Sequence, residues 1–192
     1  MELMLHLQVI IASTRPGRLG PSVAAWFLEC ARANGKFDVE LVDLAAANLP
    51  LLDEPKHPML GQYVHEHTKA WSATIKRGDA YVFVTPEYDY SAPAALMNAL
   101  QCLSREWSYK PVGFVSYGGV SGGTRGVQMT KLLMTSLRLM PLPEGVILPF
   151  FAQHINAETR AFNPPEISSK SAGVMLDELL KWATALAPLR SV

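Results

Sequence analysis

The sequence predicts an α/β protein: a doubly wound, five-stranded parallel sheet with helices on both faces. Two observations predict this class, and a third says where its chemistry sits. Five short runs rich in apolar and β-branched residues alternate with stretches whose apolar residues recur at helical spacing. The run Ala80-Tyr81-Val82-Phe83 is apolar throughout rather than at every second residue, which marks a strand buried on both faces. Proline, glycine and hydroxyl residues collect just after the first, third and fourth runs, at the carboxyl ends of strands where α/β sheets bind ligands.

The elements follow in order. Residues 5–11 are the first predicted strand. Val23, Trp26, Phe27, Cys30 and Ala31 then recur at helical spacing, and Asn34-Gly35 stops that helix. Residues 37–42 are the second strand. Residues 43–61 form a loop holding Pro50, Pro55 and Pro58, long for a compact domain and suited to covering a site. Val64, Thr68, Trp71 and Ile75 mark the second helix. Residues 80–85 are the third strand. The third helix begins near Pro93, a place where proline is tolerated, and runs through Leu96, Ala99, Leu100 and Leu103. Residues 112–117 are the fourth strand, and Met129, Leu132, Leu133 and Leu137 mark the fourth helix. Residues 146–150 are the fifth strand. A polar, proline-containing stretch, 152–167, leads to the last helix, marked by Leu176, Leu179, Leu180 and Ala183. No repeat, linker or low-complexity segment divides the chain, so residues 1–192 read as one domain.

With 49% hydrophobic and 18% charged residues, the chain can bury a substantial core and lacks the composition of a disordered one. Its 17 Lys and Arg balance 17 Asp and Glu, which argues against a broad nucleic-acid surface. Cys30 and Cys102 lie far apart among apolar neighbours, with no Cys-x-x-Cys, and read as reduced core thiols. The first apolar run, residues 3–12, is short for a membrane span and has no basic leader. The expectation is a cytoplasmic protein with neither a membrane nor a nucleic-acid partner.

The first loop, Ala12-Ser13-Thr14-Arg15-Pro16-Gly17-Arg18-Leu19-Gly20-Pro21-Ser22, opens a helix. A helix N-terminus offers free N–H groups and partial positive charge, hydroxyls add donors, and arginine pairs with a dianion. A capped helix after a turn and a phosphate cradle both fit; the two arginines inside the loop favour the cradle. Neither Gly-Lys-Ser/Thr nor Gly-x-Gly-x-x-Gly is present, so nucleotide hydrolysis and the dinucleotide fingerprint lose support. The third loop lies in Val84-Thr85-Pro86-Glu87-Tyr88-Asp89-Tyr90-Ser91-Ala92-Pro93. It supplies backbone groups, a carboxylate and tyrosine rings, which suit a flat, polar-edged aromatic ligand. The fourth, Ser116-Tyr117-Gly118-Gly119-Val120-Ser121-Gly122-Gly123, lets backbone approach such a ring closely. Alone, each also fits an ordinary turn. Clustered at a switch in strand order, one would hold a phosphate and two would flank a ring.

Ser13-Thr14-Arg15 with Ser22, Pro86-Glu87-Tyr88-Asp89-Tyr90-Ser91 with Pro93, and Lys110-Pro111-Val112-Gly113-Phe114-Val115-Ser116-Tyr117-Gly118-Gly119 together resemble the NADPH-dependent FMN reductase family of flavodoxin-like proteins. That family includes flavin, quinone, azo-dye and chromate reductases. The resemblance spans residues 5–142 and is most specific at Pro86-Glu87-Tyr88. It implies strand order 2-1-3-4-5, bound FMN, NADPH as co-substrate, a small-molecule electron acceptor and a homodimer or homotetramer. It implies that Ser13, Thr14, Arg15, Gly20 and Ser22 hold the FMN phosphate. Pro86, Glu87, Tyr88, Asp89, Ser116, Tyr117, Gly118 and Gly119 would then border the isoalloxazine. No catalytic side chain is implied, because the flavin carries the chemistry. Three positions depart from the family pattern: Ala12 for the usual Gly, Asp89 for Asn and Met97 for Lys. An ionised Asp89 beside the ring would disfavour its anionic reduced form, whereas a protonated one would donate a hydrogen bond as Asn does.

Other readings remain open at this point. A non-catalytic flavin carrier or redox sensor would share these motifs, and a flavin-free phosphate binder would share the first. Arg15, Arg18 and Arg125 are candidates for the additional phosphate of NADPH. Residues 49–60 and Trp107 are candidate subunit contacts. His65 and His67, two apart, would diverge on a helix and have no further ligand spacing, so a metal is not expected. Ser22 is not on a Gly-x-Ser-x-Gly elbow. Trp26, Trp71 and Met129 read as core.

Overall fold

The computed structural model describes residues 4–190; Leu3, where the first apolar run begins, lies outside them. Strands β1 (His6–Ile11), β2 (Asp38–Asp43), β3 (Ala80–Pro86), β4 (Pro111–Tyr117) and β5 (Met140–Leu148) form one parallel sheet in the order β2-β1-β3-β4-β5. The helices are α1 (Gly20–Asn34), the single-turn α2 (Leu44–Ala47), α3 (Glu66–Arg77), α4 (Ala94–Gln101), α5 (Thr124–Ser136) and α6 (Glu166–Leu186).

Successive strand residues face opposite sides of the sheet, and two cores result. Leu7, Val9, Val82, Val84 and Val115 pack with α1 and α6 through Phe27, Met175 and Leu176. Ile10, Tyr81, Phe83 and Phe114 pack with α3, α4 and α5 through Trp71, Leu96 and Met134. β3 and β4, in the middle, are buried along their whole length. α1 stops where Gly35 turns left-handed (φ 70°) and its N–H bonds the Arg32 carbonyl.

Several expectations change. β5 starts at Met140 rather than at residue 146 and ends at Leu148. Pro141 and Pro143 hid its start, and an edge strand tolerates proline because one side needs no partner. Val64 precedes α3 and is exposed. α5 buries Gly126, Val127, Thr130 and Met134 but exposes Met129 and Leu132, so Met129 is not core. A face built on small residues and a threonine escapes a search for large apolar spacing. Trp26 is only half-buried, edge-on to Phe162 at 5.6 Å. Trp71 and Trp107 are core, their indole N–H groups donating to the carbonyls of Ala99 (2.9 Å) and Leu100 (3.2 Å). Trp107 is therefore no subunit contact. Residues 49–60 do expose Leu51, Leu52, Met59 and Leu60. Cys102 is buried and Cys30 half-buried, both unpaired.

The two histidines do not diverge. His65 stands in extended conformation at the cap of α3, and its ring stacks on His67 at 5.2 Å. His67 pairs with Asp53 at 2.9 Å, and Glu54 accepts the N–H groups of Val64 and His65, which pins the long loop to α3. Among the described residues, no group of three or more His, Cys, Asp or Glu could hold a metal ion. Nor, among them, is any helix long and apolar enough to cross a membrane.

Candidate functional site

The sheet register sets Ile11 beside Val84, Val84 beside Val115 and Tyr117 beside Leu148. The loops after β1, β3, β4 and β5 therefore leave the sheet side by side and enclose a pocket of about 430 Å³. The first loop contributes Arg15, Arg18 and Leu19; the third, Pro86, Glu87 and Tyr88; the fourth, Gly118 and Gly119 beyond Tyr117. The segment after β5 closes the wall with Phe150, Phe151, Ala152 and Gln153.

The first loop divides its predicted residues. Ser13 is fully buried beneath it, and its Oγ accepts a hydrogen bond from the Tyr117 hydroxyl at 3.3 Å. Gly20, at the start of α1, lies so close that a Cβ there would sit 2.4 Å from Ser13 Oγ and 2.8 Å from the Tyr117 hydroxyl. Thr14 turns to a separate small cavity beside Leu44 and Asn48. Ser22 lies in a groove between α1 and residues 159–163. Of the predicted phosphate ligands, Arg15 thus lines the pocket, and Ser13, Thr14, Gly20 and Ser22 do not.

Arg18 is committed elsewhere. Its guanidinium grips Asp43 through two bonds, of 2.6 and 2.5 Å, and donates to the Ser13 carbonyl at 2.5 Å. The Asp43 bond raises the Arg18 pKa, opposed by burial. Burial alone would push the Asp43 carboxyl up, but its bonds from Arg18 and the Ala45 N–H hold it below the ordinary range. Arg15 is exposed at the pocket and has no carboxylate partner among the described residues.

The third loop folds into a tight turn. Tyr88 and Ser91 exchange backbone hydrogen bonds of 2.8 and 2.9 Å around Asp89 (φ 48°) and Tyr90 (φ 67°), the mirror-image turn of a two-residue hairpin. Asp89 is exposed at its tip and does not line the pocket. Glu87 is bound inward. Its side chain, only 6% exposed, accepts from Ser121 Oγ (3.0 Å), Arg125 Nε (2.6 Å) and the N–H groups of Arg125 (3.1 Å) and Gly126 (3.3 Å). It caps α5, whose own cap residue, Gly123, has no side chain to do so. Gly123 is needed there: φ is 86°, and a Cβ would lie 2.9 Å from the Tyr117 nitrogen. Burial alone would push the Glu87 carboxyl up, but the bonds from Arg125, Ser121 and the Gly126 N–H outweigh it and hold it low. Arg125 also lies 3.9 Å above the Tyr90 ring. Of the three arginines read as NADPH candidates, Arg18 and Arg125 are thus held by carboxylates.

In the fourth loop, strand alternation parts neighbours. Ser116 faces the α5 side, beside Thr124 and Val127, and does not line the pocket. Tyr117 faces the pocket and packs against Phe151 at 4.6 Å. Burial raises its phenol pKa well above the ordinary value, so the ring presents a neutral hydroxyl. Gly119 accepts the Phe150 N–H at 3.0 Å, and a Cβ on it would meet nothing within 4 Å. The wall at Phe150 to Gln153 was not anticipated. Its signal was an apolar Phe-Phe pair following a strand that neighbours β4.

The donor set fits FMN. One uncommitted guanidinium stands near the start of a helix for a phosphate, and glycine backbone and aromatic walls stand beside it for a planar ring. Comparisons with known proteins agree. The NADPH-dependent FMN reductase model matches residues 5–153, which end at the last residue lining the pocket. The chain is 42% identical over 152 residues to an NAD(P)H-dependent FMN reductase of Schizosaccharomyces pombe, covering 78% of this chain and 76% of that one. It is 29% identical over 155 residues to a quinone reductase of Pseudomonas putida, covering 77% and 80%. The flavoenzyme NAD(P)H:(acceptor) oxidoreductase FerB from Paracoccus denitrificans shares the fold at a TM-score of 0.71 and 20% identity, covering 94% of this chain and 98% of that one. With the matched region taking in all four loops of the pocket, the chain belongs to the NADPH-dependent FMN reductase family.

Proposed function

We propose that this protein is an FMN-dependent NAD(P)H oxidoreductase that passes electrons to a small acceptor: a flavin, quinone, azo compound or metal oxyanion. The observation that carries the reading is Arg15, the pocket arginine left without a carboxylate at the mouth of a glycine- and aromatic-walled cleft. Bound FMN supplies the redox chemistry, accepting a hydride from the reduced nicotinamide and yielding electrons to the acceptor.

The chain's own residues bind and orient. Arg15, with the loop backbone from Ser13 through Gly20 to Ser22, takes the phosphate; Thr14 contributes through its backbone. Arg18 fixes that loop by gripping Asp43. Glu87 ties the Pro86 to Asp89 segment to α5, so the backbone beside the ring stays in place. Tyr117 and Phe151, with Gly118 and Gly119, form the wall that excludes water.

In this proposal residues 1–192 act as one FMN-binding domain, in a homodimer or homotetramer, in the cytoplasm. Exposed Leu51 and Met59 on the long loop and Met129 and Leu132 on α5 support assembly. The unpaired cysteines suit a reducing compartment. Light scattering at micromolar concentration tests the assembly, and a monomer mass contradicts it.

The functional test is anaerobic addition of NADPH to the FMN-loaded protein. The enzyme reading predicts rapid bleaching of the flavin's visible absorbance and recovery on adding a quinone. Tight FMN binding with negligible NADPH or NADH oxidation would instead establish an electron carrier.

A further inference from the structure

At the opposite end of the sheet, where β3 and β4 begin, lies a larger cavity of about 860 Å³. Five cations line it, Lys76, Arg105, Lys110, Arg138 and Arg190, against two carboxylates, Asp79 and Glu106. Both carboxylates are engaged. Asp79 accepts from Arg190 Nη1 at 2.7 Å and the His6 N–H at 2.8 Å. Buried Glu106 accepts from Ser72 Oγ (2.6 Å), the Tyr63 hydroxyl (3.1 Å) and the Ser104 N–H (3.3 Å). Among the described residues, no carboxylate pairs with Lys76, Arg105, Lys110 or Arg138.

Two features mark the cavity as more than a basic surface. Lys110 is buried, and its ammonium donates only to neutral oxygens: the carbonyls of Ile75 (3.1 Å) and Lys76 (3.4 Å) and the Tyr81 hydroxyl (2.9 Å). A buried ammonium bonded only to neutral groups is costly, even with the carboxylates of Asp79 and Glu106 favouring its charge. At the cavity rim Arg138 (φ 55°) is the left-handed residue that ends α5, its N–H on the Thr135 carbonyl (3.2 Å) and the Leu139 N–H on the Met134 carbonyl (3.0 Å), and Tyr109 (φ 59°) is left-handed beside it. The Tyr109 N–H donates to the Arg138 carbonyl at 2.8 Å, and the Arg138 guanidinium lies 5.7 Å from the Tyr109 ring centre. The helix end and the Tyr109 contact thus set one guanidinium at the cavity rim.

We propose that this cavity binds a small phosphate-type polyanion, with Lys76, Arg105 and Arg138 as its ligands and Lys110 as the buried charge beneath it. Guanidinium forks match phosphate oxygens in pairs. A protein of zero net charge carries here a local positive excess able to gather an anion. The anion adds counter-charge beside Lys110, whose ammonium feels Asp79 and Glu106 but, among the described residues, bonds neither. Burial lowers the Lys110 pKa to about 8, so an anion bound near it draws a proton back onto the amine at pH 8. A free polyphosphate and the phosphate arm of a nucleotide share this chemistry. The site is independent of the flavin reading, since it lies at the other end of the strands.

Calorimetric titration of the FMN-loaded protein with tripolyphosphate and with ADP tests the proposal. We expect binding in the wild type, weaker by about tenfold or more in Arg138→Ala and in Arg105→Ala. At pH 8 the titration should take up protons, seen by comparing buffers of different ionisation heat, and Lys110→Met should remove that uptake. Equal affinity for both probes assigns the site to free polyphosphate, and tighter ADP assigns it to a nucleotide. Arg105 is exposed on a surface turn, so its variant keeps the test valid if Arg138→Ala fails to fold. Absence of binding by either probe, or wild-type affinity in Arg105→Ala, overturns the proposal.

Discussion

At the carboxyl end of the sheet, Asp43 holds Arg18 and Glu87 holds Arg125, while Arg15 stands without a carboxylate. At the amino end, Asp79 holds Arg190, and among the described residues four further cations have no carboxylate bonded to them. The first end uses ion pairs to fix its loops and reserves one charge beside apolar walls. The second gathers charge around a polar hollow and buries an ammonium on carbonyl groups. The same five strands thus support a shaped, aromatic cleft at one end and an electrostatic basin at the other. What separates them is the excess of cations over carboxylates as well as the pairing of charges between loops.

The sharpest way to break the carboxyl end is Gly20→Val. The added side chain would run into buried Ser13 and Tyr117, whose atoms lie within 2.8 Å of where its Cβ must go. Overpacking of this kind costs roughly 1–3 kcal/mol, and this site should fall at the upper end. Thermal unfolding should show the loss, and FMN titration should show weaker binding with it.

The amino end is probed by pH. Unfolded Lys110 keeps its proton to about 10.5, while the folded protein releases it near 8. Between those values the unfolded state binds more protons, so stability rises with pH. The rise is up to roughly 3 kcal/mol. Lys110→Met should flatten it, as read from denaturant unfolding across that range.

Glu87 gives a slope of the same sign at acid pH. Its carboxyl is held below the ordinary range in the folded state. Its contribution is complete above the unfolded carboxyl pKa and is lost as pH falls through the lower folded value. Glu87→Gln should cost roughly 1–3 kcal/mol at neutral pH and flatten the acid limb. Flavin affinity should fall with it, because the turn at Tyr88 to Ser91 loses its tie to α5.

The smallest effect belongs to Asp89. It sits on an exposed turn tip in a left-handed conformation that Asn adopts as readily. Asp89→Asn should change stability by less than about 0.5 kcal/mol. It should also leave the flavin potential nearly unmoved. A clear rise in potential on redox titration would put the carboxylate back beside the ring.

Much of this was legible in the sequence. Runs rich in apolar and β-branched residues identified the strands, and the Pro86-Glu87-Tyr88 segment located the site edge. Local signals failed where structure depends on pairing across the chain. The Arg18 to Asp43 grip and the capping of α5 by Glu87 join loops that only the sheet register makes neighbours. Phe150 reads as the end of a strand, but β5 stops at Leu148, and Phe150 and Phe151 turn into the pocket wall. Ser116 and Tyr117 read as one unit until the pleat sent them to opposite faces.

The central claim is that Arg15 carries the phosphate charge of FMN at the carboxyl end. Fluorescence titration of wild type and Arg15→Ala with FMN and with riboflavin, which lacks the phosphate, tests it most directly. The variant should lose about tenfold or more in FMN affinity, equivalent to roughly 1.5–3 kcal/mol, and keep the wild-type affinity for riboflavin. Equal FMN affinity in the two proteins would contradict the account.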